Sequence, residues 1–526
     1  MLYNMSSMIS LFWNHVTPWL VALICLVILL YKFFTKHQNF WEKQGLPVAK
    51  KHPLFGSFNV MFLKPLHVED EENHRTLGNL YGRYDGQTPI LAITEPEILK
   101  DIMVKDFNIF PNRRHLQFGD EVIDNNVGML EGEDWKRVRS ILTNTSTSSK
   151  LRKMIPLIEN CIQSLYENIL EAVKIGHSID ITRLFSAFAM DIIATCAFGT
   201  KLNSHKDPNN PFVAHANVLL NSKMSWRIYM TVLFPQIMKF FNISLFNPKA
   251  TRFFKQFVEE VMDRRKKSGE VRFDFVQLIM DAEKDESSDE NMSNAELEDL
   301  KILKKKKLSQ IEAVSQCCGF FIAGYSSTSS ILSSVFYNLA TNLHCQKQLR
   351  EEIENVIGKT QETLDYETIN EMKYLDAVIA ETIRMYPAGL RIERQAVTDY
   401  KLRESGIEIK KGMVISIPVY ALHNDPKWYP EPKKFDPERF LEQEKSKRHP
   451  YAYLGFGMGP RACVGMRFAL MIIKLCIIRL LQKYQFKPGA KLAIPPELDS
   501  SGALMTIKNV ILDIEERKED ISSNGI

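Results

Sequence analysis

Phe456-Gly457-Met458-Gly459-Pro460-Arg461-Ala462-Cys463-Val464-Gly465 is the stretch whose reading decides the fold. Gly457, Gly459 and Pro460 favour a tight loop over a helix or ladder strand, because glycine accepts positive φ and proline lacks a backbone N–H. Cys463 closes the loop, just before an apolar helical pattern that starts near Gly465. A thiol there faces the positive end of the helix dipole and nearby backbone N–H groups, both of which lower its pKa. Phe456 can cover the site against water. Arg461 can pair with an anion such as a carboxylate on a bound cofactor. A dinucleotide loop is the rival reading, since Gly457, Gly459 and Ala462 satisfy a relaxed GxGxxA pattern. Pro460 removes an N–H that phosphate needs, and no acidic residue follows at the expected distance.

The decapeptide resembles the haem-binding signature of the cytochrome P450 family, Phe-x-x-Gly-x-Arg-x-Cys-x-Gly, matched at Phe456, Gly459, Arg461, Cys463 and Gly465. The resemblance implies a haem (iron protoporphyrin IX) whose axial ligand is the Cys463 thiolate. A thiolate pushes electron density onto iron and favours O–O cleavage. It also implies a fold that is mainly α with small β-sheets, preceded by one transmembrane helix. Glu381 and Arg384 match the family's Glu-x-x-Arg, and residues three apart share a helix face. Phe435-Asp436-Pro437-Glu438-Arg439-Phe440 resembles its Pro-Glu-Arg-Phe, so Arg439 is expected to join Glu381 and Arg384 in a structural network behind the cysteine loop. Trp135 and Arg139 match Trp-x-x-x-Arg. By similarity to the third clan, the vertebrate drug-metabolising branch, Arg113 and Arg394 join Arg461 around the haem propionates. Buried carboxylates require such cations or donors. Ala323, Phe456 and Gly465 complete the implied cofactor-binding set.

The long apolar helix departs from the family's Ala/Gly-Gly-x-Asp/Glu-Thr-Thr/Ser, reading Ala323-Gly324-Tyr325-Ser326-Ser327-Thr328. Gly324 lets a ligand approach the backbone. Ser326 stands for the acid and Ser327 for the threonine. Thr328 does not substitute, because one residue turns a side chain by about 100° around the helix. Ser326 and Ser327 are therefore the expected catalytic pair, with hydroxyls for a water chain but no carboxylate. Mid-helix hydroxyls also bond to carbonyls one turn back and loosen the helix. Arg114–Val122, the centre of the long helix, Pro387–Leu390 and Ser500–Met505 are expected to form the substrate pocket.

The chain has 526 residues, 45% of them hydrophobic, and a net charge of +4. That supports a large core and gives no argument for a nucleic-acid partner; neither zinc-finger spacing nor an arginine-rich arm is present. The eight cysteines are scattered, without a CxxC pair, and read as reduced thiols facing the cytosol. Thr17 to Tyr31 carries no charge. Extended back to Met8 it gives roughly the 20 residues that cross a bilayer. Trp13 and Trp19 suit the interface, and Lys32 and Lys36 keep the following chain cytoplasmic. The expected plan is an anchor over residues 1–36, a Pro/Gly-turned linker over 37–52 and a catalytic domain over 53–526, in the endoplasmic reticulum membrane.

Thr88 to Thr94 reads as a strand, helical patterns dominate from Glu95 to about Met280, and Asp281–Asp299 reads as a solvated loop. Lys304–Lys307 reads as a solvated helix start. Leu308 to about Asn342 and Met466–Tyr484 read as buried helices. Ile407–Ile409 and Met413–Tyr420 flank Lys410-Lys411-Gly412 as a strand pair. Met230–Phe246 is apolar enough to touch lipid. No flavin or nicotinamide fingerprint is present. The resemblance therefore implies electrons from NADPH through NADPH–cytochrome P450 reductase, with cytochrome b5 as a second donor. Lys136 and Arg137 offer cationic docking for an acidic partner. The implied reaction is insertion of one oxygen atom from O2 into a lipophilic small molecule. Its rivals are a haem-thiolate isomerase or dehydratase acting on a hydroperoxide, and a non-catalytic haem- or ligand-binding membrane protein.

Overall fold

The computed structural model describes residues 2–57, 64–116, 118–145, 147–176, 178–220, 226–284, 307–359, 364–403, 405–499 and 504–517. Its centre is the helix Gln310–Thr341, here the long helix. Ser309 starts it with a capping box, accepting from the Glu312 N–H while Glu312 reaches back to the Ser309 N–H. Thirty-two residues make a rod of roughly 48 Å, long enough to cross the whole core. From Thr328 to Ala340 every side chain is buried, so this rod is wrapped on all sides.

The helix Ile181–Phe198 is mostly apolar and packs along it. By length and composition it is able to cross a membrane, but it is mostly buried inside the protein. Phe185 stacks on Phe336, with ring centroids 5.1 Å apart. The helix Met466–Lys483, directly after the cysteine loop, is buried from Met471 to Ile478. It meets the long helix through Phe468 and Phe320, 5.3 Å apart. The helix Lys373–Met385 joins them through Asn338, which donates to the Thr382 hydroxyl at 3.1 Å.

The strands are β1 (Leu80–Asp85), β2 (Thr88–Ile93), β3 (Ile179–Asp180), β4 (Arg391–Gln395), β5 (Tyr400–Lys401), β6 (Glu408–Ile409), β7 (Val414–Pro418), β8 (Tyr484–Pro488), β9 (Leu498–Asp499), β10 (Thr506–Ile507) and β11 (Ile511–Glu516). They form small sheets, the largest ordered β1-β2-β7-β4. The mainly α reading with small sheets is met, as are the strand at Thr88 and the helices at Leu308 and Met466. The strand pair around Lys410-Lys411-Gly412 is not. β6 pairs with β5, whereas β7 pairs with β2 and β4, so this turn links two separate sheets. Val419–His423 beyond it is helical. Periodicity identifies strands but not their partners.

Residues 37–52 pack onto the first sheet. Trp41 is fully buried, and its N–H donates to the Tyr84 hydroxyl at 3.0 Å. The N-terminal helix runs Leu2–Thr35 and leaves its side chains outward from Trp19 to Phe33. Of the expected loop 281–299 only the first four residues are described, and they continue the helix Phe275–Lys284. The lysine run 304–306 lies outside the described residues.

Candidate functional site

Cys463 sits where the sequence places it, two residues before the N-cap of the helix Met466–Lys483. Gly457 and Gly459 adopt φ of 70° and 71°. A Cβ on Gly459 would lie 2.1 Å from the Met103 carbonyl oxygen, so only glycine fits this turn. Two N–H donors close the loop: Cys463 to the Phe456 carbonyl at 2.8 Å and Ala462 to the Gly459 carbonyl at 3.0 Å.

The Cys463 side chain is accessible to a water-sized sphere, yet protein crowds it closely enough to desolvate it. Burial therefore raises the thiol above its ordinary value. The Gly465 N–H, Arg139 and Arg113 pull the other way and do not overcome burial. This corrects the expectation of a lowered pKa: the loop supplies the favourable dipole and cations, but in the protein alone desolvation wins.

Of the four expected arginines, Arg113 and Arg139 act on this thiol directly, and Arg394 and Arg461 lie next to Arg113. Burial lowers the pKa of Arg113 and of Arg139, and the charge of Cys463 opposes that shift in both. Among the described residues neither guanidinium makes a hydrogen bond or ion pair. Arg394 is 2% exposed, and its Nε has no hydrogen-bond partner. Burial and Arg113 push its pKa down to about 9. Arg461 also falls to about 9, through burial and then Arg113 and Arg394, with Glu131 the one acid among its main influences. Such a cluster of cations is stable only against an anion. Arg461 itself is largely committed to the protein. Its Nε donates to the Pro111 carbonyl at 2.8 Å, its Nη2 to that of Leu130 at 2.9 Å, and its guanidinium lies 4.0 Å over the Trp135 ring. Trp135 is thus the platform that orients Arg461.

The loop that receives Arg461 is tied to the long helix by Gln316, which accepts from the Val127 N–H and donates to the Asn125 carbonyl, each at 2.8 Å. Ala323 is exposed in the middle of that otherwise buried helix, and Ser326 and Ser327 are half-buried. They lie on the segment just past Phe320, whose ring is 5.3 Å from that of Phe468, five residues after Cys463. The Ser327 hydroxyl donates to the Ala323 carbonyl at 2.7 Å, and Ser329 and Ser333 bond back in the same way. The expected back-bonding is present, and the helix stays continuous through it. Among the described residues the Ser326 side chain has no hydrogen-bond partner. Gly324 serves packing rather than ligand approach: a Cβ there would meet Ile193 Cδ1 at 2.7 Å.

Behind the loop, Arg384 grips Glu381 through Nε at 2.7 Å and Nη2 at 2.9 Å, both fully buried. Arg439 approaches Glu381 at 3.6 Å, near enough for an ion pair but not a hydrogen bond. Its Nε makes no hydrogen bond and also lies 3.9 Å from Asp436. The expected network exists, with Arg384 as its strong arm and Arg439 as its weak one. Sequence reasoning missed its extension through His423. Arg384 Nη1 donates to the His423 carbonyl at 2.8 Å, and His423 Nε2 accepts from the Leu454 N–H at 2.8 Å. The one signal was a lone histidine ending the apolar run Val419–Leu422. Sequence reasoning also missed Gln316. Of the expected docking cations, Arg137 is spent on Glu312 and the Lys307 carbonyl, clamping the start of the long helix. Lys136 pairs with Glu133 at 2.8 Å.

Of the pocket segments, Ser330 donates to the Met505 carbonyl at 2.8 Å, and the Met505 N–H donates to the Ala388 carbonyl at 3.3 Å. These contacts bring the long helix, 387–390 and Met505 together. Residues 117 and 500–503 lie outside the described residues.

An accessible cysteine before a helix, with Arg113 and Arg139 close enough to act on it and Arg394 and Arg461 beside Arg113, is a donor set that fits a cofactor bearing carboxylates, as haem does. The chain belongs to the cytochrome P450 family, whose model, described as Cytochrome P450, matches residues 46–514. It is similar to Cytochrome P450 3A1 of Rattus norvegicus, 38% identical over 512 residues covering 96% of this chain and 98% of the relative. It is also similar to Cytochrome P450 3A15 of Cavia porcellus, 37% identical over 509 residues, covering 95% and 97%. Cytochrome P450 3A7 of Homo sapiens is 36% identical over 515 residues, covering 96% and 98%. The protein is a haem-thiolate monooxygenase, an oxidoreductase of the drug-metabolising branch.

Proposed function

We propose that this enzyme inserts one oxygen atom of O2 into lipophilic small molecules (xenobiotics, steroids or fatty acids) with electrons from NADPH. A reductase delivers the electrons, with cytochrome b5 as a second donor. The balance is substrate, O2, two electrons and two protons giving hydroxylated product and water. The observation that carries the reading is Cys463 presented to a cluster of uncompensated arginines.

Cys463 would hold the iron. Arg113, Arg139 and Arg394 would take the propionates, with Arg461 held on Trp135 to complete the positive field. When bound, the haem supplies dioxygen activation and oxygen-atom transfer. Phe456 and the long helix at Ala323 would limit the access of water to the cofactor. Ser327, its proton given to the Ala323 carbonyl, keeps lone pairs to accept from water; the free Ser326 hydroxyl donates. Together they would hold a short water chain near the substrate.

The N-terminal helix would cross the endoplasmic reticulum membrane once and leave the catalytic domain in the cytoplasm. A second lipid contact is supported by Phe240 and Phe241, 83% and 64% exposed, beside the helices Trp226–Leu233 and Pro235–Phe240. Phe34 at the end of the anchor meets Phe234 edge-on at 6.5 Å, bringing the two apolar surfaces side by side.

The test is the reduced carbon monoxide complex together with turnover. The thiolate-shifted absorption band is expected in the native protein and lost in Cys463→Ala. Product should form with reductase, NADPH and O2. Turnover of lipid hydroperoxides without reductase, and none with it, would replace this reading with the isomerase one.

A further inference from the structure

A second cavity, of about 590 Å³, shares no lining residue with the site around Cys463. It opens between the helix Ser148–Ile175, the end of the helix Ile181–Phe198 and the connection 269–274 that leads into Phe275–Lys284. Its size is that of a small-molecule pocket. Pro156, Leu157, Leu202, Val271 and Phe273 give it apolar walls. Val271 and Phe273 stand 70% and 58% exposed, apolar side chains that a ligand would cover.

Lys153 and Lys201 also line it. Among the described residues neither makes a hydrogen bond or ion pair. The Lys153 ammonium lies over the Phe273 ring at 4.6 Å. Lys201 is near enough to the Cys161 thiol to act on it electrostatically, but burial pushes that thiol up to about 11 and it stays uncharged. The lining acid Asp274 and the nearby Glu270 are already taken. Asp274 is held by Arg265 at 2.7 and 2.5 Å, and Glu270 by Arg272 at 2.7 Å. The cavity therefore offers an apolar body and two cations that are unpaired among the described residues, its lining acid Asp274 being neutralised by Arg265.

We propose that it binds a compact amphipathic anion, with a hydrocarbon or aromatic body against Leu157, Leu202 and Phe273 and one carboxylate or sulfonate between Lys153 and Lys201.

The test uses the full-length holoenzyme in nanodiscs of zwitterionic lipid, with an azole on the haem iron to keep the probe out of that site. The probe is 1-anilinonaphthalene-8-sulfonate, with empty nanodiscs subtracted. Saturable fluorescence is expected, with slowed amide exchange confined to 153–164 and 269–274. Lys153→Glu with Lys201→Glu should weaken binding by about tenfold or more, and the uncharged parent amine should bind weaker by a similar factor. The double Arg variant should bind as the native protein does. Should the Glu pair fail to load haem, Lys153→Met with Lys201→Met makes the same comparison. Protection absent from those two segments, or equal affinity in a charge-deleted holoenzyme, overturns the proposal.

Discussion

Leu454 donates its backbone N–H to the ring of His423 across 2.8 Å. The other ring nitrogen faces the Arg384 carbonyl at 3.2 Å, so the tautomer is fixed: Nδ1 donates and Nε2 accepts. Leu454 in turn accepts from the Gly457 N–H at 2.9 Å, at the turn that leads to Cys463. A buried, neutral imidazole thus hands the position of the Glu381–Arg384 pair to the cysteine loop.

Replacing His423 by Phe keeps the stacking on Tyr453, whose ring lies 5.3 Å away, but leaves the Leu454 N–H buried without an acceptor. The cost is about 1–3 kcal/mol, concentrated in the loop that presents the thiol. The expected outcome is a stable haem content at low temperature with a smaller thiolate-shifted fraction of the reduced carbon monoxide complex. His423→Gln, which can still accept, should recover part of it. Identical spectra in all three proteins would show that the loop holds itself.

The same histidine sets a pH dependence. Burial and then Arg384 drive its pKa down to about 3, against 6.5 for an unburied group. Between those values the unfolded chain binds a proton that the native protein refuses, so stability falls as pH falls below 6.5. The loss from pH 7 to pH 5 is about 2 kcal/mol from this group alone. Denaturation midpoints measured at the two pH values should separate more in the native protein than in His423→Gln.

Much of this was legible in advance, for identifiable reasons. The cysteine loop is local: glycines, proline and cysteine dictate its geometry within ten residues. The long helix announces itself because an apolar run of that length has to be buried. What could not be read is contact between distant segments. Nothing in the run around Gly324 shows that Ile193 fills the space beside it. The pairing of β6 with β5 instead of β7 is hidden for the same reason, since alternation marks a strand without naming its neighbour. Gln316 looked like one more polar residue in a helix, and only the fold sets it against the Val127 N–H. The thiol's raised pKa depends on how much protein surrounds Cys463, which the sequence does not encode locally.

Glu381→Gln tests the buried pair from the opposite side. Arg384 would keep the carbonyls of His423 and Pro432 but lose the one carboxylate that pairs with it among the described residues. Removing one partner of a buried ion pair costs about 3–5 kcal/mol. Expression with little or no retained haem is expected, read from the ratio of haem to protein absorbance. Arg439→Gln, which removes the looser 3.6 Å contact, should cost clearly less.

Arg394→Gln should act in opposite directions on the two forms of the protein. In the absence of an anion, Arg394 is a buried charge beside Arg113 with an unpartnered Nε. Its removal relieves repulsion, so the haem-free protein should gain on the order of 1 kcal/mol. With haem bound the same change deletes a proposed propionate partner, and transfer of haem to an excess of a haem-scavenging globin should accelerate severalfold. A variant that destabilises both forms equally would mark Arg394 as ordinary core support.

The serines of the long helix give the sharpest test of proton delivery. Ser327 has committed its proton to the Ala323 carbonyl at 2.7 Å, so it accepts from water but does not readily donate. Ser326, half-buried and without a hydrogen-bond partner among the described residues, is a donor with no acidity behind it. Ser326→Glu restores a group able to hold and release a proton, and Ser327→Thr narrows the hydroxyl to fewer rotamers. If the water chain at these positions limits productive use of electrons, the double variant should yield more product per NADPH. A threefold gain would correspond to less than about 1 kcal/mol of barrier. NADPH consumption, product and hydrogen peroxide measured together separate the cases. A rise in product with an equal fall in peroxide supports proton delivery through this pair. Unchanged coupling with unchanged turnover would make the serine run a tolerated polar stripe and move proton delivery elsewhere in the pocket.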